Sequence, residues 1–231
     1  MTLNKLLQPL KFVEPILSLI VVFGIGTVLF GCKPKGPLSY HLPAADSVRI
    51  IGEILDHRSQ VDSAFRFDPQ SPFQKDSSIH FDGVKWYPPD VHYFVQSNLY
   101  RYPVPETVIV VGTKGDERKQ LRYGYFLVNI EGKQFRLNVY KFTPSDSERY
   151  NLYRHQLLVW FTDETTGRET YGVGRYLEIG EEHPDPNHLY ALNFNNAYNP
   201  YCAYSDLYSC AIPRKEDHLA LAVRAGELKY H

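Results

Sequence analysis

The sequence predicts a mainly β domain of the β-rich α+β class: an antiparallel barrel or sandwich with one N-terminal helix packed against it. Three observations carry this. Several short runs alternate apolar and polar residues and are separated by polar turns, the pattern of half-buried antiparallel strands. Tyrosine occurs eighteen times, and its broad apolar ring with a polar tip suits half-buried strands, interfaces and sugar-binding surfaces. A stretch beginning near residue 47 instead repeats its apolar residues at helical spacing.

Taken in order, Lys5 and Lys11 flank the start of an apolar stretch over 16–30 that ends Leu29-Phe30-Gly31-Cys32. A small residue before a cysteine at the end of a short apolar run is similar to the lipobox of exported lipoproteins. The run is about 15 residues, short of the roughly 20 that a membrane-spanning helix needs, and Gly24 and Gly26 weaken it further as a span. The expectation is a signal peptide over residues 1–31 and a lipid thioether on Cys32. Each buried acyl methylene contributes about 0.8 kcal/mol, so several palmitate-like chains would anchor the protein permanently. Lys33 follows the cysteine, with no aspartate there to retain the protein at the inner membrane. The expected address is therefore the cell envelope, at the outer membrane and facing the periplasm.

Residues 32–46, with Pro34, Gly36, Pro37 and Pro43, read as a flexible tether. Val48, Ile51, Ile54, Leu55 and Val61 then predict a helix over 47–63, capped by Asp46 or Ser47, with Arg49, Glu53, His57 and Arg58 on its other face. Strands are predicted over 91–97 and 106–111. A polar turn over 113–119 leads to a hairpin of 123–130 and 134–142 through Glu131-Gly132. A second hairpin joins 157–162 to 169–179 through a turn at 163–167, and 218–225 supplies a last strand. Without repeats or low-complexity tracts, residues 47–231 form one domain, and its size allows a substantial core.

The net charge is −1 and no basic stripe is present, so nucleic acid is not an expected partner. Of the three cysteines, lipidation of Cys32 leaves Cys202 and Cys210 as a pair. An oxidising compartment favours a disulfide between them, contributing roughly 2–3 kcal/mol by the loop-closure argument. The rival readings are two free thiols, or half of a metal site for which His218 is the near candidate. No metal and no cofactor is expected.

The C-terminal third carries residues that hydrophobic patterning does not explain: Thr170-Tyr171-Gly172-Val173-Gly174-Arg175-Tyr176-Leu177, then Leu192-Asn193-Phe194-Asn195-Asn196-Ala197-Tyr198-Asn199-Pro200-Tyr201-Cys202-Ala203-Tyr204, then Pro213, Glu216 and Ala225-Gly226-Glu227. Together with Ser71-Pro72-Phe73 and Phe81-Asp82-Gly83, this set resembles the bacterial domain-of-unknown-function family 1684 over most of the mature chain. The resemblance implies no established activity. The segment 213–217 departs from the more proline-rich, Pro-Glu-Asn-like form of that family.

Read physically, Gly172 and Gly174 would share one face of a strand and leave room for a ligand floor or for packing by a tryptophan such as Trp160. Arg175, sharing a face with Tyr171, needs a carboxylate; Asp163 and Glu216 are candidates. It would be either a structural ion pair or an anion clamp. Asn195, Asn196 and Asn199, with Tyr198, supply donors, acceptors and rings. They fit either a small polar ligand or a rigid self-bonded loop. No nucleophile elbow, zinc-binding helix motif or phosphate loop is present. An acidic-pair hydrolase using Asp163 and Glu216 is the alternative of low weight. The leading expectation is a lipid-anchored envelope protein that binds a small polar ligand or an envelope partner through Arg175, Tyr171, Asn195, Asn196, Tyr198 and Asn199. A purely structural role is the third reading.

Overall fold

The computed structural model describes residues 44–231, with side chains from Asp46 onward. The expected signal peptide, Cys32 and nearly all of the tether lie outside the described residues.

Helix α1 (Ala44–Phe67) extends the predicted helix at both ends. Ile50, Ile54 and Phe65 are buried while Val48 and Leu55 are exposed, so the buried stripe is narrower than the periodicity suggested. Arg58, expected on the solvent face, is buried too. It donates to the backbone oxygens of Tyr87 at 2.9 Å and Asn195 at 3.3 Å and lies 4.8 Å from the centre of the Trp86 ring. The helix is thus pinned by carbonyl acceptors and a cation–π contact as well as by apolar burial. After it, the short helix α2 (Pro72–Lys75) is capped by Ser71. It places Phe73 against Phe65, Phe81, Tyr204 and Tyr230 in a small aromatic core.

The strands are β1 (Phe94–Val111), β2 (Glu117–Ile130), β3 (Lys133–Phe142), β4 (Gln156–Asp163), β5 (Arg175–Glu181), β6 (Leu189–Asn193) and β7 (His218–Leu219), with helix α3 (Ser147–Tyr153) between β3 and β4. They order as β5-β4-β3-β2-β1-β6, antiparallel throughout, while β7 adds to β4 in parallel. The sheet curls until its ends meet. Tyr176 of β5 and Tyr198, just beyond β6, exchange backbone hydrogen bonds of 2.9 and 3.0 Å. The result is a nearly closed barrel with one N-terminal helix packed against it, the predicted class.

Three predicted elements differ. The strand predicted over 91–97 starts only at Phe94, after a 3-10 turn over Val91–Tyr93, and joins the one over 106–111 in a single bent strand, β1, with a register shift between Arg101 and Glu106. Pro103 and Pro105 fall in that interval, where a residue without an N–H cannot join a ladder. The predicted strand over 169–179 begins only at Arg175. Gly174 has φ of +117°, a value closed to residues with side chains, so the chain turns there instead of running straight. The two glycines therefore do not share a strand face, and Trp160 stacks on Tyr140, with ring centres 4.6 Å apart. Finally, only His218 and Leu219 of the predicted last strand pair with the sheet. The rest crosses the barrel irregularly and buries Leu221, Val223 and Ala225.

The sheet is apolar on both faces where it matters. Phe126, Val128, Leu137, Val139, Val159, Phe161 and Leu177 fill the main core. Their neighbours Tyr140 and Trp160 join Val108, Val110 and Ala211 in a second cluster, against which Leu158 and Tyr176 pack. A register shift between Arg122 and Gly124 brings Gln120 opposite Phe142, on the side of this second cluster.

Candidate functional site

The residues expected to bind a ligand fall into two groups. Arg175 has no exposed surface. Its Nη2 donates to Asp163 Oδ2 at 2.8 Å and to the Val223 carbonyl at 2.8 Å, and its Nη1 donates to the carbonyls of Ala225 and Glu227. Asp163 Oδ1 in turn accepts from the amide and hydroxyl of Thr165 at 2.6 and 2.5 Å. The guanidinium therefore stitches the irregular C-terminal segment to β4 and β5, and Asp163 is fully engaged. Glu216 turns elsewhere, accepting from Arg214 at 2.6 Å and lying 3.6 Å from Arg122. Among the described residues no hydrogen bond joins Asp163 with Glu216.

The asparagines are also engaged in holding the chain. Asn195 exchanges two side-chain hydrogen bonds of 2.8 Å with the backbone of Asp90. Asn199 donates its amide N–H to Glu227 Oε2 and its side-chain Nδ2 to the Leu228 carbonyl, both at 2.8 Å. Glu227 is completely buried and also accepts from the Tyr204 hydroxyl at 2.5 Å. Burial raises its pKa to about 7 against the help of those donors. Asn196 leaves its Oδ1 buried without a partner among the described residues. Tyr171 donates to the Cys202 carbonyl at 3.3 Å.

Tyr198 belongs to a different place. On the face carrying the second cluster lies a cavity of about 720 Å³, lined among others by Gln120, Phe142, Trp160, Tyr176, Tyr198 and Cys210. An aromatic series runs along it, Trp160 5.9 Å from Tyr176 and Tyr176 5.8 Å from Tyr198, edge to face, and Tyr140, outside the lining, stacks on Trp160. Each ring is fixed. Tyr140 donates its hydroxyl to buried Asp217 at 2.9 Å, and Tyr176 donates to the Ala211 carbonyl at 2.5 Å. Burial pushes the pKa of Tyr176 and Tyr198 upward, so both keep their protons at neutral pH.

Two polar atoms in this lining lack partners among the described residues: the Oε1 of Gln120 and the indole Nε1 of Trp160. Their residues are only 3% and 4% exposed. A buried acceptor or donor without a partner costs about 1–3 kcal/mol, so such pairs mark places where a bound molecule supplies what is missing. The charges around the lining nearly balance. Arg118 is paired with Asp116 at 2.7 Å and Arg149 with Asp146 at 3.0 Å, leaving Glu178. The cavity offers aromatic surfaces and little net field, with the unpartnered Gln120 Oε1 and Trp160 Nε1 enclosed in the residues that line it.

Sequence reasoning passed over Gln120 and treated Trp160 only as packing material. The available signal was the unbroken apolar run Leu157-Leu158-Val159-Trp160-Phe161, which means that both faces of β4 are covered.

The expected Cys202–Cys210 bridge is not formed: both cysteines are free and partly exposed. They are nonetheless neighbours, with the Cys202 amide donating to Cys210 Sγ at 3.3 Å. The described residues hold no group of three or more metal-ligating side chains. No described helix is long and apolar enough to cross a membrane.

Residues 79–228 match the profile of a family described as protein of unknown function, DUF1684. No curated protein matches the chain. The chain is similar to an uncharacterized protein of Haloarcula marismortui whose structure was solved by solution NMR. The two are 29% identical over 80% of this chain and 96% of that one, with a TM-score of 0.57.

Proposed function

The chain belongs to the DUF1684 family, whose description names no activity, and from its own residues we propose that it is an envelope lipoprotein, tethered through Cys32, that binds a small neutral ligand in the cavity beside Trp160. The ligand class is a ring with a flat apolar face and hydroxyl or amide groups at its edge, the chemistry of a sugar. One observation carries the reading: Trp160, Tyr176 and Tyr198 line the cavity with aromatic rings, and beside them Gln120 Oε1 and Trp160 Nε1 are enclosed without partners among the described residues. An apolar filler would leave both unsatisfied. Both atoms are closed off in the unliganded chain, so binding requires the two side chains to turn toward the cavity; an edge hydroxyl then donates to the amide oxygen and accepts from the indole while the ring packs on Tyr176 or Tyr198. The near balance of charge argues against a strongly ionic ligand. The export and anchoring part rests on the Leu29-Phe30-Gly31-Cys32 segment.

Titration with a panel of mono- and disaccharides, followed by tryptophan emission and thermal shift, tests the binding. A saturable response is expected that Gln120→Leu weakens about tenfold, the cost of one lost hydrogen bond to a buried site. A panel without response, or a response untouched in both Gln120→Leu and Trp160→Phe, would overturn this site. The hydrolase alternative finds no support in the engaged state of Asp163. The structural reading draws support from the Arg175 network, and the two roles are compatible because the network and the cavity use different residues.

A further inference from the structure

The loop from Tyr201 to Ala211 borders the cavity at both ends. Tyr201 lies at one end, and Ser209, Cys210 and Ala211 lie at the other. Cys202, next to Tyr201, and Cys210 meet across the loop, the Cys202 N–H donating to Cys210 Sγ at 3.3 Å. Their two sides are held unequally. Cys210 is clamped to Thr113, whose N–H donates to the Cys210 carbonyl at 2.9 Å and whose hydroxyl accepts from the Cys210 N–H at 3.2 Å. Cys202 sits in a single tight turn, Tyr201–Ala203, with no side-chain cap, and its carbonyl accepts from the Tyr171 hydroxyl at the longer distance of 3.3 Å.

We propose that Cys202 and Cys210 are a redox-active pair that reacts with low-molecular-weight disulfides, and that closing the bridge draws Tyr201 toward the cavity mouth. Two free, partly exposed cysteines joined by that amide–sulfur contact, and bordered by a tyrosine hydroxyl 3.6 Å from Cys202 Sγ, form a place where a thiolate can be held and then resolved. The hydrogen bond from Cys210, with help from Tyr171 and Thr113, lowers the Cys202 pKa to about 6 against burial, while that of Cys210 is raised. Cys202 is the attacking sulfur, because the Tyr171 hydroxyl points its donor at that sulfur and supports its thiolate.

The chemistry is thiol–disulfide exchange. The Cys202 thiolate attacks one sulfur of the external disulfide, forming a mixed disulfide and expelling the other half as a thiolate, which takes a proton. Cys210 loses its proton and attacks the Cys202 sulfur, closing the protein disulfide and releasing the second half, which is protonated in turn. Two electrons pass from the protein thiols to the external disulfide, which leaves as two thiols. Bond formation shortens the sulfur separation to about 2.05 Å. With Cys210 clamped, the Cys202 side moves, and it carries Tyr201.

The full-length chain, equilibrated in mixtures of reduced and oxidised glutathione and then alkylated, tests this by mass spectrometry. A single reversible transition in which both thiols disappear together is expected. C210S should trap a glutathione adduct on Cys202, and C202S should react much more slowly. Thiols that stay open to alkylation in fully oxidised glutathione, or a bridge that reduced glutathione cannot open, would each overturn the redox couple. The latch is read separately, by acrylamide quenching of the emission that Trp160→Phe removes. Lower quenching in the oxidised form is expected, and equal quenching in both forms would overturn the latch. Control of ligand affinity rests on the sugar-binding reading. A sugar panel silent in both redox states defeats that reading alone, and affinity equal in both states defeats the regulation.

Discussion

Arg175 and Glu227 show how two buried charges can be used in opposite ways. Arg175 is neutralised by Asp163 and surrounded by carbonyl acceptors. Arg175→Ala would leave a buried carboxylate without its cation, so a loss of about 3–5 kcal/mol in unfolding free energy is expected, measurable by urea denaturation. A variant as stable as the parent would show that the pair contributes nothing. Glu227 instead has no formal cation at hydrogen-bonding distance among the described residues, and its pKa rises from an ordinary 4.5 to about 7. Between those values the folded state holds a proton that the unfolded chain has released. Its contribution is therefore complete below about pH 4.5 and is lost as the pH climbs through about 7. Glu227→Gln should flatten this part of the stability–pH curve and exceed the parent by about 3 kcal/mol at pH 8. A slope unchanged by the substitution would place the titration elsewhere. The need of Arg175 for a carboxylate was legible from the sequence, because guanidinium charge in an apolar strand has few remedies. The environment of Glu227 was not, since its partners Asn199 and Tyr204 are distant in sequence and brought together only by the fold.

At the scale of elements, alternation located strands well wherever one face is buried and the other wet, as in β2 and β3. It failed where a strand does something else. β4 is covered on both faces and so lacks alternation. The entry to β5 is governed by backbone conformation instead of hydrophobicity. A Cβ at Gly174 would lie 2.6 Å from the Phe161 carbonyl oxygen and 2.8 Å from Pro213 Cγ. Gly174→Ala is therefore expected to cost about 1–3 kcal/mol through strain at positive φ, and more if the Pro213 loop is displaced. Thermal melting of the variant, with Gly172→Ala as the unstrained and exposed comparison, checks this; equal melting temperatures would contradict it. The helix was legible in place but not in orientation. Arg58 looks like a solvent residue in any periodicity argument, and only the carbonyls of Tyr87 and Asn195 explain why it turns inward.

For the whole molecule, the β-rich class with its N-terminal helix was legible in the sequence, whereas the cavity was hidden because its lining comes from four strands, helix α3 and the loops around Tyr198 and Cys210. The proposed anchoring has its own test. The native protein is expected in the detergent-soluble membrane fraction with a lipid on Cys32, and Cys32→Ser should appear in the aqueous fraction. Membrane retention of that variant without any lipid would refute the lipoprotein reading.

The barrel closes through the paired amides and carbonyls of Tyr176 and Tyr198, whereas neighbouring strands such as β1 and β2 share a long ladder. Such a seam is the natural starting point for local opening, so these two amides should lose protection against solvent deuterium earlier than those of Phe126 or Val139. Because rings from both sides of the seam also face the cavity, a molecule resting there would act as a staple across the weakest joint. Occupancy would register first as slowed deuterium uptake at Tyr176 and Tyr198, with little change elsewhere in the backbone.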